Sequence, residues 1–171
     1  MLRLQSSCWF RFLIWVTTGI ALVASGHLHA GETALDRYVA KPDPTYSWKV
    51  ARTVPGNTLT QYVVDLKSQT WRTEQDVDRP VWQHWLTIVK PANPSSKLAF
   101  LRIGGGANGG EAPASADAAT LRLAETTNSV VAELRMVPNQ PLVLHHDGVR
   151  RSEDDFIAYT WDQFLKTGDE T

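Results

Sequence analysis

The chain has 171 residues, 17 Lys and Arg against 18 Asp and Glu, a formal net charge of −1 and an apolar content of 43%. That mixture suits one soluble globular domain of ordinary size. The near-neutral balance and the lack of a long basic run leave no electrostatic footprint for nucleic acid or an anionic membrane surface, so neither is an expected partner.

The first thirty residues follow a separate logic. Arg3 and Arg11 flank a short polar start, residues 12–24 are almost wholly apolar, and the small residues Ala24, Ser25, Gly26 and Ala30 follow. This is the layout of a secretory signal, and the apolar run is shorter than the roughly 20 residues a spanning helix needs. Residues 1–30 are therefore expected to be cleaved, near residue 26 or 30, leaving no stable membrane span in a periplasmic or extracellular protein. An uncleaved anchor or a buried core helix is the competing reading. Cys8 lies in this leader and is the only cysteine, so the mature chain forms no disulfide. Asn93 is followed by Pro94 and is not a glycosylation site.

Residues 31–58 read as an extended N-terminal strap. Within it residues 35–39 suit a short helix, and Pro42 and Pro44 hold the chain extended through Tyr46 and Trp48. Pro55, Gly56 and Asn57 make a turn into the domain proper, residues 59–171. Tyr62, Val64 and Leu66 alternate with Val63, Asp65 and Lys67 as in a strand. Residues 81–89 form a second strand, apolar on both faces, which Pro91 and Pro94 end. The apolar run 98–103, broken only by Arg102, suits an inner strand of a parallel sheet. A glycine-rich loop follows at 104–110, then a helix over 118–126 with Asp117 or Ser115 as N-cap, then a strand over 129–134. Strand, loop, helix and strand make a right-handed βαβ unit. A final helix starts after Ser152, carries Glu153, Asp154 and Asp155 at its positive end, and stops at Gly168. The fold class is α/β: antiparallel first strands, then a parallel βαβ unit.

The glycine loop carries the clearest chemical signal, and three readings compete for it. Gly104, Gly106 and Gly109 satisfy the dinucleotide spacing, with Glu133 on the next strand as a ribose ligand, but the helix begins too late for its amides to meet a pyrophosphate. Alternatively, Gly105, Gly106, Ala107 and Asn108 present backbone or side-chain donors to a developing oxyanion. The third reading is a tight turn at a crowded sheet end. His145, His146 and Asp147 are adjacent in a loop and have no partner at zinc spacing. His84, between tryptophans in mid-strand, reads as a packed, hydrogen-bonded histidine. No metal and no cofactor is expected. A G-x-S-x-G nucleophile elbow is absent from the sequence.

The runs QTWR (69–72), VDRPVWQHWLTIVKP (77–91), IGGGANGG (103–110), SVVAELRMVPNQPL (129–142) and EDDFIAYTWDQFLKTGD (153–169) resemble the PhoPQ-activated pathogenicity-related protein family. The resemblance covers nearly all of the mature chain from PDPTYSW (42–48) onward. It implies an exported protein with an α/β-hydrolase-like fold, and no particular substrate. Members of the family run on through the strands that would carry a serine, an acid and a histidine, so this chain is expected to be an N-terminal, non-catalytic part truncated before the nucleophile elbow. The alternative is a secreted binding or signalling module using the fold without chemistry. Substrate or ligand is left open, and self-association is expected through the sheet edge exposed after the strand 129–134.

Overall fold

The computed structural model describes residues 31–168. The chain divides into two units, Met1–Gly31 and Glu32–Thr171, and the sheet and helices belong to the second. The expected leader, residues 1–30, and both expected cleavage positions lie outside the described residues.

Two antiparallel hairpins begin the sheet. β1 (Ser47–Val54) pairs with β2 (Leu59–Thr70), and β2 with β3 (Val81–Pro91). The turn between β1 and β2 requires glycine at residue 56, since a Cβ there would stand 2.6 Å from the Leu59 carbonyl oxygen. β1 forms within what the sequence suggests is an extended strap over residues 31–58. The strand is exposed along all but its last residue, and a register shift between Val50 and Arg52 breaks its alternation, so no sustained period is visible. The short helix before it, α1 (Ala34–Ala40), is fixed by a capping box in which Thr33 and Asp36 bond reciprocally.

The βαβ unit forms as its composition suggests, but its two strands take places opposite to those expected. β4 (Ala99–Ile103) and β5 (Val130–Leu134) are parallel, joined through α2 (Ala118–Thr127). The sheet order is β1-β2-β3-β5-β4, so β5 is the inner strand, antiparallel to β3, and β4 is the edge. All five residues of β4 are exposed, whereas Val131 and Glu133 of β5 are buried. Apolar content alone could not tell these apart: each run is apolar but for one charged residue, Arg102 or Glu133, and the crossover decides which one is enclosed.

Two apolar clusters hold the layers together. Val89 and Val131 pack under Ala116 and Ala124 of the α2 region, with Leu59, Leu121 and Leu123 around them. On the other side Val77, Leu142, Leu144 and Phe156 pack with Trp71, Trp82 and Tyr159. Here Trp71 meets both Trp82 and Phe156 edge-on, at 5.9 and 5.5 Å between ring centres. Asp117 caps α2 by accepting the Thr120 amide at 2.7 Å, which selects it over Ser115. The last helix, α3 (Glu153–Thr167), ends at Gly168 in the left-handed conformation. Ser152 stands at its N-cap but its side chain makes no capping bond; Gln140 does so from a distance, accepting the Glu153 amide at 2.7 Å.

Candidate functional site

Ile103 and Leu134 stand in register, so the two parallel strands end together and the glycine loop opens at their carboxyl ends. This is where open α/β sheets place ligands. The Gly104 amide extends the ladder by donating to the Leu134 carbonyl at 2.8 Å. Beyond it the chain after β5 folds back against the loop: the Met136 amide donates to Gly105 O at 3.0 Å and the Val137 amide to Gly104 O at 3.2 Å.

Those two carbonyl bonds determine where the next amides point. In a trans peptide the N–H lies opposite the carbonyl of the same plane, and neither peptide here is cis. With the carbonyls of Gly104 and Gly105 turned toward Met136 and Val137, the N–H groups of Gly105 and Gly106 are turned away from that segment, side by side. Both residues are exposed, as is Ala107, and the amides of all three meet no acceptor among the described residues. Gly106 has φ +120°, a conformation that side chains rarely adopt. Adjacent outward amides of this kind form a concavity for an anionic oxygen.

Asn108 does something different. Its amide donates to Gln140 O, and its side-chain Nδ2 donates to Asn139 O at 3.3 Å and Pro141 O at 3.0 Å. Its Oδ1 accepts from Arg79 at 3.2 Å. All its donors are spent on carbonyls, so it fastens the loop instead of offering a hydrogen bond to a ligand. The far end is secured by Trp85, whose indole N–H donates to Gly110 O at 2.7 Å.

His84 braces the same segment from below. It is buried, and its Nδ1 lies 3.2 Å from Arg135 O and 3.1 Å from Met136 O. Carbonyls only accept, so Nδ1 carries the hydrogen and Nε2 accepts from the Ser68 hydroxyl at 2.9 Å. Burial holds the His84 pKa below its ordinary value, partly opposed by the two carbonyl bonds. Ser68 reaches the ring because the β2–β3 register shifts between Lys67 and Gln69. The sequence offers no signal for this pairing, which depends on a bulge.

A serine bonded to a histidine invites comparison with a nucleophile and base, but distance separates it from the loop. Ser68 lies on β2 and the loop follows β4, three strands away, or roughly 14 Å at about 4.8 Å per strand. One reacting atom must sit about 3 Å from both nucleophile and oxyanion donors. A cavity of about 810 Å³ lies under α1 along Tyr38, Asp43 and Gln69, and none of its lining residues belongs to the glycine loop.

Glu133, His145 and Asp147 have local partners. Glu133 is buried and ion-paired with Arg102 at 3.1 Å; Arg102 also reaches Asp117 at 3.2 Å. Residues 111–117 separate the last glycine from α2, so no helix amide opens onto the loop. His145 bonds the Tyr159 hydroxyl at 2.9 Å, and Asp147 holds Arg151 by two bonds, 2.6 and 3.1 Å. That same Arg151 lies 4.0 Å over the Tyr159 ring. Among the described residues no group of three or more His, Cys, Asp or Glu comes together, and no helix is long and apolar enough to cross a membrane.

No solved structure was found to match the chain. Among curated proteins, autocrine proliferation repressor protein A of Dictyostelium discoideum is 42% identical over 134 residues, covering 78% of this chain. The chain spans only 27% of the length of that relative. The model of the PhoPQ-activated pathogenicity-related proteins matches residues 35–171, which take in all but the first four of the described residues. With the strands, the glycine loop and the final helix all inside that match, the chain belongs to the PhoPQ-activated pathogenicity-related protein family.

Proposed function

We propose that this chain forms the opening part of an α/β-hydrolase-like domain and contributes its oxyanion loop. The observation that carries this reading is the pair of outward amides of Gly105 and Gly106 at the carboxyl ends of β4 and β5. The strand order supports it: an antiparallel start followed by a parallel βαβ unit is how that fold begins, and its oxyanion hole draws an N–H from the turn after the third strand of its core. Here that turn is the glycine loop, counting from β2. Two amides can stabilise negative charge on an oxygen, but they neither attack a carbonyl nor move a proton. The reading is supported by the position of the Ser68–His84 pair, whose serine lies on β2, three strands from the strand that feeds the loop. On this reading the chain alone does not turn over esters.

The test is an assay of the purified chain on small activated esters, paired with a fluorophosphonate probe read by peptide mapping. Background-level hydrolysis and no adduct are expected. Turnover abolished by the probe, with Ser68 or any other serine modified, would refute the reading.

A second reading has its own support. The curated relative is named as an autocrine proliferation repressor, and 42% identity over most of this chain favours a secreted signalling protein that uses the fold for recognition. In that case the loop contributes to a binding surface and the same amides serve a ligand without chemistry. Export is proposed under both readings, on the leader-like residues 1–30.

A further inference from the structure

His84 is tied to the glycine loop through the backbone between them. In a trans peptide the carbonyl and the N–H of one plane point in opposite directions, so a plane held at one end is aimed at the other. Two such planes, neither of them cis, lie between His84 and the loop. Arg135 O accepts from His84 Nδ1–H at 3.2 Å, and the N–H of the same plane, that of Met136, donates to Gly105 O at 3.0 Å. Met136 O accepts from the same Nδ1–H at 3.1 Å, and the N–H of its plane, that of Val137, donates to Gly104 O at 3.2 Å.

The planes of Gly104 and Gly105 continue the pattern, since their N–H ends are the outward amides of Gly105 and Gly106. Ser68 begins it by donating its hydroxyl to Nε2 at 2.9 Å. Every donor therefore runs the same way, from β2 across the imidazole and two pairs of peptide planes to the outer side of the loop. Hydrogen bonds in series polarise one another, so each strengthens the next.

This arrangement needs Met136 in an uncommon conformation. Carbonyls of neighbouring residues in a strand point apart, whereas Met136 at φ +64° brings its own carbonyl and that of Arg135 to one hydrogen. A residue with a side chain keeps that left-handed geometry only where its surroundings fix it. Two carbonyl oxygens converging inside a protein repel unless a donor stands between them, and His84, 2% exposed, supplies that donor. Met136 is buried too, with its Cγ 3.8 Å from the position a Cβ on Gly106 would take.

We propose that His84 is a positioning residue for the loop: its Nδ1–H holds the planes after Arg135 and Met136, and through them directs and polarises the outward amides of Gly105 and Gly106. The proposal deepens the oxyanion reading above and rests on it.

The test is an NMR titration of the full chain with inorganic phosphate, read at the amides of Gly105 and Gly106 and at the imidazole nitrogens and Nδ1–H of His84. In the wild type the imidazole should be the Nδ1–H tautomer, and its Nδ1–H signal should move with the same midpoint as the two amides, although phosphate does not touch it. His84→Asn keeps a donor one bond from Cγ, where Nδ1 stands, and should retain most of the phosphate affinity. His84→Gln carries its donor one bond further, to the Ser68 side, and should bind about tenfold more weakly, the loss expected for one hydrogen bond. Circular dichroism of both variants separates a lost contact from a lost fold. An Nε2–H tautomer in the wild type overturns the proposal whether or not the variants fold, as does equal affinity in folded H84N and H84Q. Absence of any phosphate response at Gly105 and Gly106 in the wild type would remove the oxyanion reading instead. The positioning role would then be decided without phosphate, upheld if those two amides shift in H84Q but not in H84N and overturned if they shift in neither or in both.

Discussion

Asp117 shows how much one side chain can hold at this site. It caps α2 through the Thr120 amide and sits 3.2 Å from Arg102, which in turn neutralises the buried Glu133. The bond from Thr120 is the main reason its pKa lies below the ordinary carboxylate value, with Arg102 adding to it. Asp117→Ala should cost about 1 kcal/mol from the lost cap, measurable as a lower denaturant midpoint. A carboxylate depressed in the folded state stabilises fully above its unfolded pKa and loses that contribution as pH falls through the folded value. The difference between wild type and variant should therefore be constant near neutrality and shrink below about pH 4. A gap that persisted unchanged at pH 2 would contradict the assignment. His84 runs the other way in charge but not in sign: its folded pKa is lowered, so the unfolded chain binds the extra proton and acid weakens the fold below about pH 6.5. Asp117 was legible as a cap because capping is local in sequence. The roles of Ser68 and Gln140 were not, since each depends on a partner brought close only by the completed sheet.

At the scale of elements, long patterned segments were readable and their neighbours were not. The alternation of β2, the apolar faces of β3 and the capped helix α2 lie close to where composition places them. β1 escaped notice because its bulge between Val50 and Arg52 interrupts a two-residue period. The exchange of β4 and β5 has a different cause. Each strand is a short apolar run, and period alone does not tell a run that will be enclosed from one that will not. What decides is the crossover: α2 returns the chain so that β5 falls between β3 and β4, and the expected exposed edge after 129–134 is found at 99–103 instead. The glycine loop was legible as a loop from its composition. The direction of its amides was not, because that follows from the chain beyond β5 folding back to grip Gly104 and Gly105.

For the whole molecule, two separate features carry the proposals: the leader-like residues 1–30 and the glycine loop proposed to hold an anionic oxygen at the carboxyl ends of β4 and β5. If residues 1–30 direct export, the secreted form should begin at His27 or Gly31 on N-terminal sequencing. Recovery of the chain from the exported fraction with Met1 intact would contradict cleavage. The loop is the more consequential feature, since both functional readings use it. The most direct measurement is an amide-resolved NMR titration of the chain with inorganic phosphate, a probe that carries the required oxygen charge. The account predicts saturable shifts concentrated on the amides of Gly105, Gly106 and Ala107, with Asn108, whose N–H is already bonded to Gln140, moving least. Shifts absent from those three glycine-loop amides, or spread evenly over the exposed surface, would contradict it.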